Sequence, residues 1–229
     1  MPSIIDNIKK VYDILEASCR KAGRNSKAVR LIAISKGVPV EQMKEALTAG
    51  VTDLGENYFK EALLKQAALA SSVVTWHFTG HLQRNKAETV ARDFQLIHSG
   101  DSFRLLVTLN QNGEKLQKKV PVLLQLKCHT ASANGFVPNE LFPLVPQLLK
   151  LKNLEIRGVM TMIPVLENAE ATRPYFRKAH ETFRELRKSF DESFSELSMG
   201  MSGDFAVAVE EGSTMVRIGT AIFGPRRQP

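Results

Sequence analysis

Lys36 follows directly on an apolar run, Val29-Arg30-Leu31-Ile32-Ala33-Ile34-Ser35, and precedes Gly37 and Pro39. The run reads as a buried β-strand, so the lysine is an amine at the exit of a rigid element. A solvated lysine there is a cap; a partly desolvated one is a nucleophile toward carbonyl groups. Near the other end of the chain, Arg217 lies within the apolar run Met215-Val216-Arg217-Ile218. An unpaired guanidinium in such a setting is costly, so Arg217 needs a buried partner; a carboxylate or a pyridine nitrogen would serve. Ser202-Gly203 and Gly219-Thr220 are small polar loops whose amides and hydroxyls suit an anion such as phosphate, although tight turns use the same residues. Amine, cation and anion cradle together are what a phosphate-bearing cofactor attached through an amine requires.

These residues need a scaffold that brings the two ends of the chain together. Residues 3–22 read as an amphipathic helix with Ile4, Ile5, Ile8, Val11, Tyr12 and Leu15 on one face. Strands are expected at 29–35, 51–54, 75–79, 95–98, 120–126, 154–160, 196–198 and 214–218. Helices are expected at 39–48, after Asn57, at 83–93, from Ser102, at 138–150, 167–190 and 204–211. Alternation of this kind predicts a parallel sheet covered by helices, and eight units in 229 residues fit a single (β/α)₈ TIM-type barrel, residues 1–229, with an extra N-terminal helix. An open doubly wound sheet is the alternative, but no glycine-rich dinucleotide turn follows the first strand. In a barrel the chemistry sits where strands end. That rule gathers Lys36, Asn57, His77, Met160, Met199, Ser202, Arg217, Gly219 and Thr220 at one face, with Met160 and Met199 placed to wall a ring.

Other chemistries fit less well. Cys19 and Cys128 are too few and too far apart for a disulfide framework or a zinc site, and are expected to be reduced. His77 and His81 have helical metal-site spacing but fall on a strand and its exit; no metal is expected. The formal charge of +7 comes from 31 basic and 24 acidic residues. They are scattered over expected helix faces, with small clusters at Lys115-Leu116-Gln117-Lys118-Lys119 and Arg226-Arg227, so no nucleic-acid partner is expected. No apolar stretch reaches membrane-span length and Met1-Pro2-Ser3 does not open a signal peptide, so the protein is expected in the cytoplasm with no membrane partner.

Ile34-Ser35-Lys36, Gly55-Glu56-Asn57, Trp76 to Gln83, Leu197 to Ser202 and Gly212 to Gly224, taken in order and at these gaps, resemble the pyridoxal phosphate homeostasis protein (YggS/PROSC) family across nearly the whole chain. The resemblance implies a barrel similar to the N-terminal domain of alanine racemase. It implies pyridoxal 5′-phosphate (PLP) held as a Schiff base on Lys36, with the phosphate at Ser202, Gly219 and Thr220. Arg217 would face the pyridine nitrogen, and Asn57 would sit near the ring substituents. An arginine there keeps the ring nitrogen unprotonated and weakens the cofactor as an electron sink. Racemases of similar fold add a β-domain and a tyrosine from a partner subunit, and no counterpart of either is expected here. The implied function is PLP (vitamin B6) homeostasis without established turnover, as a monomer, with PLP-dependent apoenzymes as recipients. The alternative is a small PLP-dependent racemase or lyase, with Tyr58 or His77 as second base. The chain departs from the family in the loop 127–135, which lacks the acidic and lysine residues expected there and bears on partner contacts and cofactor release.

Overall fold

The apolar runs pair in chain order. In a computed structural model, which describes residues 3–128, 134–164 and 166–225, eight parallel strands close into a barrel. They are β1 (Arg30–Ile34), β2 (Asp53–Glu56), β3 (Thr75–Phe78), β4 (Leu96–Gly100), β5 (Val120–Leu126), β6 (Leu154–Thr161), β7 (Glu196–Ser198) and β8 (Met215–Ile218). The closing pair sets Ile32 beside Arg217 and Ala33 beside Ile218, so the strand leading to Lys36 adjoins the strand carrying Arg217. Side chains alternate across each strand. Ile32, Ile34, Leu96, Leu123, Met160 and Met215 pack together inside the barrel. Leu31, Ala33, Leu54, Val216 and Ile218 belong to the larger core between strands and helices.

The helices are α1 (Ile4–Lys21), α2 (Val40–Thr48), α3 (Phe59–Ala68), α4 (Ala87–Asp93), α5 (Phe103–Lys115), α6 (Pro138–Leu141), α7 (Val145–Leu148), α8 (Arg173–Arg187), α9 (Phe205–Glu210) and α10 (Thr220–Phe223). The extra N-terminal helix starts on a capping box between Ser3 and Asp6 and buries Ile8, Val11 and Leu15. Asn7 donates to the Ile222 carbonyl at 2.9 Å, and Arg24 donates to Val209 and Ser213 carbonyls at 2.5 and 2.8 Å. The start of the chain is thereby fastened to the elements flanking β8.

Four expectations are corrected. The second strand runs over 53–56 rather than 51–54, because Gly55 and Glu56 are buried strand residues rather than a turn. The single helix expected at 138–150 is two short helices separated by a 3₁₀ turn, since Pro143 and Pro146 lack the amide protons a continuous helix needs. The helix expected at 167–190 is a 3₁₀ turn at Ala169–Thr172 followed by α8. A short helix, α10, follows the last strand, where none was expected. Residues 129–133 of the atypical loop, and Arg226-Arg227, lie outside the described residues.

Gly158 on β6 sits where β7 leaves no room for a side chain. Its φ of +148° suits glycine, and a Cβ there would strike the backbone of Glu196 on β7. Gly158→Ala is expected to lower unfolding stability in urea by at least about 2 kcal/mol.

Candidate functional site

Lys36, half-buried, leaves the end of β1 in a turn held from behind. Gly37 takes a φ of +69°, a left-handed conformation that glycine reaches without strain. The turn is gripped on both sides of Lys36 by a cluster in the layer between β2 and α3. Lys65 Nζ donates to the Ser35 carbonyl at 2.5 Å, to Glu56 Oε1 at 2.8 Å and to Glu61 Oε1 at 2.6 Å. Ser35 Oγ donates to Glu56 Oε1 at 2.7 Å, and the Gly37 amide donates to Glu61 Oε1 at 2.6 Å. Glu56 is sealed from water, and among the described residues its Oε2 has no partner. Burial pushes its carboxyl upward, against the opposing pull of Lys65 and Ser35.

A cavity of about 270 Å³ opens beside this turn, lined by Ile34, Lys36, Thr172, Ser202, Asp204, Arg217, Gly219 and Thr220 among others. Arg217 is buried. Its Nη1 donates to Ser198 Oγ at 2.6 Å and its Nη2 to the Thr161 carbonyl at 2.8 Å. The partner the sequence demanded is thus a pair of neutral oxygens. Burial draws the guanidinium down to about 10, against the attraction of Asp204, so it remains a cation at neutral pH. Asp204 ends the preceding loop by accepting from the Met201 amide at 2.6 Å, and burial raises its carboxyl. Across the cavity, the amides of Gly219 and Ala221 converge on Ser202 Oγ at 3.3 and 3.2 Å. An amine, a dry cation and converging amide donors therefore share one cavity, a combination that fits a phosphorylated carbonyl compound.

Five residues expected at the site, Lys36, Ser202, Arg217, Gly219 and Thr220, line this cavity. Asn57 lines a neighbouring, larger one of about 490 Å³ with Tyr58, Phe59, His81 and Lys86. Volume favours that neighbour, but the clustered chemistry favours the cavity at Lys36. Asn57 Oδ1 accepts from Thr79 Oγ1 at 2.9 Å. Gly80 permits this meeting of loops, since a Cβ there would lie 2.7 Å from Asn57 Cα. Met160 is inside the barrel in one cluster with Ile34, and Met199 packs in the outer core. His77 is fully buried within the barrel, between Asp53 and His98. Sequence reasoning missed Leu166, Ala169 and Thr172, cavity residues from the irregular segment after β6. It also missed Lys65 and Glu61, whose only signal was the i, i+4 Glu-Lys spacing that solvated helices share, and so the buried pairing of Lys65 with Glu56.

Barrel and mouth together define the class: residues 10–227 match the sequence profile of the alanine racemase N-terminal domain. Within that class, the chain belongs to the pyridoxal phosphate homeostasis protein family. It is 38% identical over 223 residues to the pyridoxal phosphate homeostasis protein of Aquifex aeolicus, covering 97% of this chain and 98% of that one. PipY of Synechococcus elongatus, solved with PLP bound, is similar at 37% identity and a TM-score of 0.81, covering 92% of this chain and all of the other. Alanine racemase of Clostridium difficile shares the fold at a TM-score of 0.70 and 16% identity; the match spans 58% of that longer chain.

Removing Lys65 leaves two carboxylates behind the Lys36 turn with no cation between them. Lys65→Met is expected to cost roughly 3–5 kcal/mol in urea unfolding, and Glu56→Gln distinctly less, because its acceptor oxygen survives. A second expectation concerns pH. Burial, with the Arg217 and Arg30 cations nearby, holds the His98 imidazole well below its ordinary 6.5, so it stays neutral in the fold. The unfolded chain takes up that proton as pH falls through about 6.5. Stability is therefore full above that pH and falls below it, by up to about 1.4 kcal/mol per pH unit for this one proton. Urea midpoints measured on both sides of this value should show the loss, and His98→Gln should flatten it.

Proposed function

We propose that this chain binds PLP in the cavity at Lys36 and serves PLP homeostasis as a carrier rather than as a turnover enzyme. The observation that carries the reading is the meeting of Lys36, Arg217, Ser202, Gly219 and Thr220 in one cavity. The PLP bound to PipY supports it. When bound, PLP supplies an aldehyde that condenses with an amine and a pyridine ring that acts as an electron sink. Lys36 is the attachment point, and the turn behind it fixes where its amine emerges. Ser202, Gly219 and Thr220 hold the phosphate, with backbone amides as donors. The family resemblance would set Asn57 near the ring substituents, although its side chain lines the neighbouring cavity.

Arg217 would face the ring nitrogen of bound PLP. It is a donor without an acceptor lone pair, so it hydrogen-bonds an unprotonated ring nitrogen and offers it no proton at neutral pH. That keeps the electron sink weak. The rival racemase or lyase reading needs a second base opposite Lys36. Tyr58 is 63% exposed on the neighbouring cavity, and both ring nitrogens of His77 are engaged inside the barrel. In this reading the protein is a cytoplasmic monomer of one domain that delivers PLP to PLP-dependent apoenzymes. Among the described residues no helix is long and apolar enough to cross a membrane.

Mixing the purified protein with PLP should produce a visible absorption band, absent in Lys36→Ala, and borohydride followed by peptide mapping should place the label on Lys36. No band in the intact protein overturns PLP binding. Rapid exchange of the α-proton of an amino acid into heavy water, lost in Lys36→Ala, would instead establish the enzyme reading.

A further inference from the structure

Four hydrogen-bond contacts run in series through the barrel interior, from the cavity towards the opposite end of the strands. Arg217 Nη1 meets Ser198 Oγ at 2.6 Å. Ser198 Oγ meets His98 Nδ1 at 3.0 Å. His98 Nε2 meets His77 Nδ1 at 3.0 Å, and His77 Nε2 meets Asp53 Oδ1 at 2.8 Å. All five residues are buried, and Ser198, His98 and His77 are wholly so. We propose that these contacts form a one-way donor chain from Arg217 to Asp53, in which Ser198, His98, His77 and Asp53 are positioning residues that orient and electrostatically balance the cation facing the cavity.

The ends fix the direction. A guanidinium can only donate, and an ionised carboxylate can only accept. Beginning at Asp53, His77 must carry a proton on Nε2, and as a neutral ring it then has a bare Nδ1. His98 must then carry its proton on Nε2 and present a bare Nδ1. The Ser198 hydroxyl therefore points its proton at His98 and accepts from Arg217 on a lone pair. Each contact holds one proton, and no two donors or two acceptors face each other. Running the chain backwards would set two donors on Ser198 Oγ and require a further acceptor for its own proton; among the described residues it has none. The low basicity of His98 agrees with its neutral place in the chain.

At the far end, Asp53 is itself held in its ionised form. Burial opposes this, but the bonds from His77 and Thr52 and the nearby Arg30 outweigh it. Thr52 Oγ1 donates to Asp53 Oδ2 at 2.7 Å, and Arg30 Nε lies 3.9 Å from Oδ1 while its Nη2 pairs with Glu196 at 3.3 Å. Tyr12 of α1 senses the same carboxylate. Hydrogen bonds in series polarise one another, so the negative charge at Asp53 strengthens Ser198 as the acceptor for Arg217. Asp53 thus acts as a counter-charge three residues removed from the cation it serves.

The test uses the apoprotein first and so does not depend on PLP binding. In ¹⁵N-histidine spectra, His77 and His98 are expected as neutral rings with the proton on Nε2. A cationic ring, or a proton on Nδ1 of either, overturns the chain. In Asp53→Asn, whose amide can present either oxygen or nitrogen, both histidines should become tautomer mixtures and the side-chain nitrogen resonances of Arg217 should move. A change confined to His77 overturns the coupling. The effect on cofactor rests on the proposed PLP site: Ser198→Ala should weaken PLP binding roughly tenfold, the lower end of what outer-shell partners contribute at metal sites, while keeping the Lys36-dependent colour. Unchanged affinity overturns the positioning role. Absence of colour in the unaltered protein would overturn PLP binding alone and leave the apoprotein result standing.

Discussion

Placing Arg217 inside the barrel withdraws a full positive charge from water, and much of the interior is arranged around that charge. Small closed barrels normally fill with branched apolar side chains. Here Ile32, Ile34, Leu96, Leu123, Met160 and Met215 do so on one part of the interior. Polar groups from β2, β3, β4 and β7 occupy another part, where Asp53, His77, His98 and Ser198 meet. A guanidinium answered by a hydroxyl and a carbonyl is held in one orientation, whereas a direct carboxylate partner would neutralise it. Its charge is thereby kept available to the cavity.

The outer face of the same strands has a complementary task. Ser35 and Glu56 point away from the interior, and with Lys65 and Glu61 they fasten the turn from which Lys36 emerges. The cation that binds and the amine that reacts are thus positioned by separate polar clusters on opposite sides of one sheet. The sheet alternation that separates core from interior also separates these two tasks.

The barrel was legible because each strand is a short apolar run followed by a helical pattern, and because the order of the elements leaves few ways to close them. Lys36, Ser202, Arg217, Gly219 and Thr220 could be read as a group because strand ends define the mouth. Gly55 and Glu56 misled the boundary of β2, since a glycine-acid pair looks like a turn until Lys65 supplies the buried partner. Pro143 and Pro146 carried their own warning, and the helix expected there is broken at them. The histidine series could not be read at all. His77, His98 and Ser198 are scattered along the chain, and only barrel closure brings them within hydrogen-bond distance.

Closure also bears on when the cavity can exist. Lys36 follows the first strand and Arg217 lies in the last; the register of β1 against β8 sets Ile32 beside Arg217, and Lys36 and Arg217 line one cavity. Contacts so distant in sequence carry a large loop-closure cost and slow folding. Asn7 and Arg24 then bind the first helix to carbonyls around β8. During synthesis, the lysine leaves the ribosome long before the arginine and loops that complete its surroundings. A partly made chain therefore lacks Arg217, Gly219 and Thr220, and the cavity appears only once the final strand has docked.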